Sequence, residues 1–484
     1  MAKKSFVKIN MRGGIISSGD LGNIVNIIKL SGADTVELGE RQNIYFYIEK
    51  NKKAELEELL TIASLDFEID TKNYPNIISS YAAEEIFSTH SWLGEGIYRD
   101  ILSSFTFKPK IKINISDNTQ ALTPLYTGGL NFIPSSHVNF FYLYINHSSF
   151  HEIQRWNKLI YTTDIANLSL QIEIEILKGN DIDLNSLSKK LEQENKFITM
   201  DIEEPLIIPR LRFPYYEGMN KFGDKFWLGI YRRNNDFSLG LLESIYNLCI
   251  LNKIGQINIT PWKSIMVKGI VEEERIEWEK LLSRHGINSR HSSLELNWQL
   301  ADMNSESLRI KNELVKNFDE EDIRTYGITF AIDTGKKFDK SSSVVIKKRP
   351  SIFNFWGVMK KFTMYDILYA PDFNLNATNY ITYTSNITWN GLALNLRNLS
   401  ENYYKQLSKK LPERPAASKE KKQIERDLFQ CKHCYTIYDE KYGEPENGIA
   451  IGTTFEQLPD SYTCSLCENP KSDFNKKDAN IYLS

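Results

Sequence analysis

The first sixty or so residues change periodicity from segment to segment. Residues 5–14 (SFVKINMRGG) read as a strand that runs into a glycine turn. Residues 17–32 (SSGDLGNIVNIIKLSG) place Leu21, Ile24, Val25, Ile27 and Ile28 on one helical stripe, with Ser and Asp capping signals ahead of it and a glycine after it. Residues 35–49 (TVELGERQNIYFYIE) predict strand on either side of a polar centre, and residues 52–63 (KKAELEELLTIA) predict an amphipathic helix. The same succession returns about 220 residues later, over residues 225–287, with PWKSIMV falling where ERQNIYF stood. A repeat at this separation predicts two related halves packed around a pseudo-twofold axis.

Composition narrows the class. At 484 residues the chain is long enough for two to four domains. Its 41% apolar and 25% charged content is that of a soluble globular protein, and a net charge of -3 implies no polyanion partner. The N-terminal MAKKSFVKINMRGG lacks the apolar core of a signal peptide, and no run approaches the ~18 apolar residues of a membrane helix. The expectation is a cytoplasmic protein that binds neither membrane nor nucleic acid; the basic KEKK of 419–422 reads as part of a solvated tether.

Cysteine usage points to a metal. Four of the five cysteines form two C-x-x-C pairs, Cys431/Cys434 and Cys464/Cys467, with 29 residues between them. Two-residue spacing turns the chain tightly enough to aim both sulfurs at one point, and two such turns supply a tetrahedron of thiolates suited to zinc or iron. Residues 411–426, rich in Pro, Ala and Lys, read as a linker ahead of this module.

The segment between the pairs carries a resemblance. "YDEKYGEPENGIAIGTTFEQLPDSYTC", followed by "CENPKSDF", resembles rubredoxin over roughly 427–476. The resemblance implies one iron, cycling between ferric and ferrous, on Cys431, Cys434, Cys464 and Cys467. It also implies an aromatic shield of Phe429, Tyr438, Phe455, Tyr462 and Phe474. The chain departs from the family at Tyr435 and Glu468, where glycine is usual after each turn, and at Ser465, where proline is usual. None of these departures removes a ligand.

A second resemblance covers residues 1 to about 410. "LGERQNIYFYI" is similar to the T-x-R-Q-N strand in the ferredoxin-like half-domain of siroheme sulfite and nitrite reductases, and "ITPWKSIMVKGI" to its second copy. "KPKIKINIS" (108–116) matches the family's R-K-F-K-I strand. The fold class so implied is α+β: a pseudo-twofold sulfite/nitrite reductase-like body with two ferredoxin-like half-domains, plus a small rubredoxin-like iron domain. The expected divisions are half-domains at 1–68 and 206–288, reductase-like α/β domains at 69–205 and 289–410, the linker at 411–426 and the iron domain at 427–484. By the same resemblance Arg41, Lys110 and Lys112 are candidates for binding the carboxylates of siroheme, and alternation along a strand would set the two lysines on one face.

The catalytic parts of that family do not carry over. Its four-iron, four-sulfur cluster needs four cysteines, and outside the C-terminal pairs this chain has only Cys249, on the apolar side of a helical stretch where a buried small side chain is expected. Ser292 and Trp298 align with two cluster cysteines and Pro75 with a catalytic arginine. No such cluster is therefore expected. His147 and His151 read as a non-ligand pair, 319–324 (DEEDIR) as a solvated helix start, and TGKKFDKSSS fails the glycine spacing of a phosphate loop.

These features lead to an iron-binding electron-transfer protein on a degenerate reductase scaffold. It would pass single electrons to or from an assimilatory nitrate, nitrite or sulfite reductase, or take them from a flavoprotein. One alternative is a siroheme-type reductase fed by the rubredoxin iron. Another is a non-catalytic assembly subunit of a reductase complex.

Overall fold

The computed structural model describes residues 4–478 apart from 89–91, 148–149, 151, 180–182, 210, 289–291, 336–340, 350–362, 378 and 411–426. The expected linker, the KEKK stretch, His151 and part of TGKKFDKSSS therefore lie outside the described residues. The chain forms two compact units, Met1–Gln406 and Leu407–Ser484. Among the described residues no helix is long and apolar enough to cross a membrane.

The first unit opens with β1 (Lys4–Asn10), β2 (Ile15–Ser17), α1 (Ser18–Leu30), β3 (Thr35–Leu38), β4 (Asn43–Glu49), α2 (Lys53–Ile62) and β5 (Phe67–Ile69). An α/β layer follows: β6 (Ile78–Ser79), α3 (Glu95–Ser104), β7 (Ile113–Ile115), β8 (Leu130–Pro134), β9 (Phe140–Ile145), β10 (Gln154–Arg155), β11 (Lys158–Tyr161), α4 (Ile165–Leu177), α5 (Leu184–Glu194) and β12 (Thr199–Asp201). The second half runs through β13 (Gly218–Phe222), β14 (Lys225–Tyr231), β15 (Phe237–Ser238), α6 (Leu239–Leu251), β16 (Gln256–Ile259), β17 (Ser264–Ile270) and α7 (Arg275–Arg284). Its α/β layer comprises β18 (Trp298–Leu300), α8 (Ser305–Glu320), β19 (Phe330–Asp333), β20 (Val344–Lys348), β21 (Tyr365–Tyr369), β22 (Ile381–Ile387) and α9 (Trp389–Lys410).

The repeat is visible down to single bonds. Ser17 and Ser238 occupy equivalent N-caps, their hydroxyls accepting from the N–H groups of Asp20 (2.9 Å) and Leu241 (3.3 Å). Gln42 and Lys263, at matching turns, both have positive φ (58° and 56°), as do Gly14 and Asn235 (72° and 56°). Each half also lends a strand to the other. Two five-stranded sheets run β15-β3-β4-β1-β5 and β13-β14-β17-β16-β2, so β2 closes the second of them and β15 the first. Ser18 N–H bonds the Gly255 carbonyl (3.1 Å), and its counterpart Leu239 N–H bonds that of Asp34 (2.9 Å). The stripe of α1 (Leu21, Ile24, Val25, Ile27, Ile28) and that of α6 (Leu241, Leu242, Ile245, Cys249) lie in one shared core. Cys249 is fully buried, as expected, and burial pushes its thiol up to about 12.

The flanking layers are mixed sheets: β12-β11-β9-β8-β7-β6 with β10 on β9, and β18-β19-β20-β21-β22. The acidic 319–324 segment lies at the C-terminal end of α8 and just beyond it rather than at a helix start. Asn304 caps α8 far upstream, and the buried stripe Ile310, Leu314 and Phe318 draws the preceding residues into the helix. In the second unit β24 (Ile437–Asp439), β23 (Asp427–Cys431) and β25 (Phe474–Asp478) form a three-stranded antiparallel sheet in that order.

Candidate metal centre

β23 delivers Cys431 as its last residue, after which the chain folds back on itself. The Tyr435 N–H bonds the Cys431 carbonyl (3.1 Å) and the Cys431 N–H bonds the Thr436 carbonyl (2.9 Å). The second turn repeats the pattern: Glu468 N–H to Cys464 carbonyl (2.9 Å) and Cys464 N–H to Asn469 carbonyl (2.8 Å). Tyr435 and Glu468 take the left-handed conformation where glycine is usual (φ 63° and 58°). The four Sγ atoms all lie within 4.8 Å of one another. Cys431 and Cys467 Sγ are 3.6 Å apart, and Cys434 and Cys464 Sγ 3.4 Å. A metal–thiolate bond near 2.3 Å demands tetrahedral edges of about 3.8 Å, so this donor set fits one tetrahedral iron or zinc.

Packing holds the tetrahedron. Phe429, Tyr438, Phe455, Tyr462 and Phe474 are all buried around the cysteines, as the sequence suggested. Phe429 stacks on Phe455 with ring centres 4.0 Å apart, and Tyr462 meets Phe474 at 5.8 Å. The buried phenols are satisfied by the Thr453 carbonyl (from Tyr438, 2.8 Å) and by Glu444 Oε1 (from Tyr462, 3.1 Å). Hydrogen bonds from the side chain and backbone of Thr436 pull the Cys434 thiol down to about 6, and burial pushes Cys464 up to about 11. Asn469 Nδ2 donates to Cys467 Sγ at 3.1 Å, and Thr436 Oγ1 lies 3.2 Å from Cys434 Sγ.

On the two cysteine turns, Tyr435 is 69% and Leu466 71% exposed. Acidic side chains beside the centre are partly turned inward. Glu440 Oε1 accepts from the Phe455 N–H (2.8 Å), and Glu444 Oε1 accepts from both Tyr462 and Ser465 (3.1 Å each). Asp439 Oδ1 caps the Lys441 N–H at 2.9 Å.

In the first unit, the three basic candidates have different surroundings. Arg41 is 7% exposed and its guanidinium bonds the carbonyls of Asn76 (2.8 and 3.0 Å) and Ile113 (2.9 Å) and the Asn114 side chain (3.2 Å). Its repeat counterpart, Trp262, is also buried, and a space of about 20 Å³ lies beside the two, bounded also by Pro124, Thr127 and Gln299. Lys110 is exposed and Lys112 half-buried; β7 begins after both, at Ile113, because the Lys110 and Ile111 N–H groups are held by Glu173 Oε2 (2.6 and 2.9 Å). Ser292 is fully buried and Trp298 stacks on Phe330 at 4.8 Å.

The rubredoxin family model matches residues 428–474. Rubredoxin-2 of Chlorobaculum tepidum is 44% identical over 50 residues, a match spanning 96% of that protein and 10% of this chain. The chain belongs to the rubredoxin family. Probable Rubredoxin-2 of Methanocaldococcus jannaschii is 46% identical over 55 residues, 98% of its length and 11% of this chain. The high molecular weight rubredoxin of Moorella thermoacetica is 40% identical over 58 residues, 12% of this chain, and the match spans only a quarter (25%) of that protein. The solved structure of Mycobacterium tuberculosis NirA protein has a TM-score of 0.64 at 16% identity, covering 83% of this chain and 81% of that one. This likeness shows the fold: the body is nitrite/sulfite reductase-like, joined to a rubredoxin domain. The four cysteines of that domain fit one iron.

Sequence reasoning passed over Thr436 and Asn469. A signal was present, since each stands two residues after the second cysteine of its pair and each carries a hydrogen-bond donor.

Proposed function

We propose that the chain is a cytoplasmic electron carrier, a rubredoxin whose reductase-like body serves as a docking scaffold rather than a catalyst. It passes single electrons to or from an assimilatory nitrate, nitrite or sulfite reductase, or receives them from a flavoprotein. The observation that carries this is the tetrahedral thiolate set inside an aromatic shield, on a chain with one other cysteine, which is buried. A rigid tetrahedron changes little between ferric and ferrous iron, so one electron enters or leaves with little rearrangement.

Contact is made at the edge of the two cysteine turns. Tyr435, Ser465 and Leu466 bring a partner's cofactor close to the ligands, and the acidic composition of residues 439–446 favours a basic partner face. Association with the physiological reductase is expected to slow as ionic strength rises. Rates indifferent to salt would overturn this electrostatic docking.

The siroheme reading is supported less. Guanidinium donors of Arg41 are engaged by Asn76, Ile113 and Asn114 of the chain itself. Metal and porphyrin analysis of protein purified without oxygen decides between the readings: one iron without porphyrin supports the carrier, and bound porphyrin sinks it. The assembly-subunit reading expects the partner's activity to survive Cys→Ser changes at Cys431 and Cys434. The carrier reading expects that activity to fall to the level seen without this protein.

A further inference from the structure

The two cysteine turns are related by a local twofold repeat. Cys431 corresponds to Cys464, Tyr435 to Glu468 and Thr436 to Asn469 in their backbone hydrogen bonds, Tyr435 and Glu468 share a positive φ, and Cys434 and Cys467 hold the same place in the spacing. At the last pair the repeat extends to side chains. Thr436 Oγ1 stands 3.2 Å from the sulfur of Cys434, and Asn469 Nδ2 3.1 Å from the sulfur of Cys467. Both contacts reach the second cysteine of their own turn. A metal-bound thiolate carries no proton, so the hydroxyl and the amide are necessarily the donors. Both residues are half-buried, which shields the bonds from competing water.

We infer that Thr436 and Asn469 set the redox poise of the centre, each donating a side-chain hydrogen bond to a ligating sulfur and so favouring the reduced form. The inference rests on the electron-carrier reading above. Reduction adds one electron, supplied by an external one-electron donor such as a reduced flavin, and no atom leaves or joins. The four-thiolate iron site thereby passes from a net charge of −1 to −2. Hydrogen bonds to a more negative acceptor are stronger, so two donors aimed at sulfur stabilise the reduced state more than the oxidised one and raise the potential. Neither residue touches the iron; both act through the sulfurs they bond.

The test uses the iron-loaded full-length chain. Midpoint potentials are measured by dye-mediated spectroelectrochemistry for the wild type, Thr436→Val, Asn469→Leu and the double variant. At a fixed electrode potential the oxidised-to-reduced ratio is expected to rise about threefold in each single variant and about tenfold in the double, the latter equal to about 59 mV for a one-electron couple. Thr436→Ser keeps a hydroxyl and is expected to keep the wild-type potential. Unchanged or raised potentials in Thr436→Val, Asn469→Leu and the double overturn the inference. If a variant fails to take up iron, the wild type loaded with cadmium-113 still decides the Asn469 half. Scalar coupling between the metal and an Asn469 side-chain amide proton is expected in its NMR spectrum, and its absence contradicts that hydrogen bond. A wild type with no reversible couple at all refutes the carrier reading instead.

Discussion

At the scale of single residues, the metal centre combines what the motif demands with features particular to this chain. Tyr435 and Glu468 hold positive φ without being glycine. Replacing both by glycine is expected to stabilise the rubredoxin domain by about 0.5–1 kcal/mol per site, the relief of left-handed strain outweighing the added freedom of the unfolded chain. Denaturant titration followed by loss of the thiolate-to-iron absorption reads this directly; a lower midpoint in the glycine variants would contradict it. In the metal-free chain the thiols differ. Cys434, at about 6, is ionised near pH 7, because its pKa lies below the pH, whereas Cys464, at about 11, stays protonated. Brief alkylation at about pH 7 with peptide mapping is expected to label Cys434 first and Cys464 last. Equal labelling would show that Thr436 does not act on Cys434 as described. The four ligands were legible because the spacing of the two C-x-x-C pairs dictates convergence, and the five shielding aromatics because the segment between the pairs resembles rubredoxin. The donors to sulfur were not, because a threonine or an asparagine two residues past a cysteine gains its meaning only once the turn has brought it back onto that sulfur. The inward turn of Glu440 and Glu444 was hidden for a similar reason, their partners Phe455, Tyr462 and Ser465 lying further along the chain.

At the scale of elements, reciprocal strand exchange makes one core of two halves. Ser17→Ala and Ser238→Ala each remove an N-cap and are expected to cost about 1 kcal/mol apiece. Because α1 and α6 share a core, both are expected to shift one common unfolding transition of the body, measured by circular dichroism in urea. Two separable transitions would show that the halves fold independently. Gly229 in β14 has a different sensitivity: a Cβ there would lie 1.9 Å from the Tyr216 carbonyl oxygen, so Gly229→Ala is expected to prevent β13 from pairing with β14. The repeat itself was plain in the sequence, since strand and helix periodicities recur in order. The exchange was not, because β2 and β15 have three and two residues and show no period. The hydrogen-bond partners of Arg41 were hidden for a comparable reason. Its acceptors at Asn76 and Ile113 lie far along the chain, and nothing local marks them.

At the scale of the whole molecule, a reductase-like fold is joined to a rubredoxin domain whose four cysteines fit one iron. The family resemblance led to the body's fold because element order survives where individual residues have diverged; at 16% identity to NirA, order is most of what remains. The most direct measurement is a reductive titration of the full-length protein, purified without oxygen from its own host, with the visible spectrum recorded and bound iron counted. One electron and one iron per chain, with complete bleaching of thiolate-to-iron bands and no residual absorption, is the expected result. Uptake of several electrons, or tetrapyrrole bands that survive reduction, would contradict the assignment of this chain as an electron carrier.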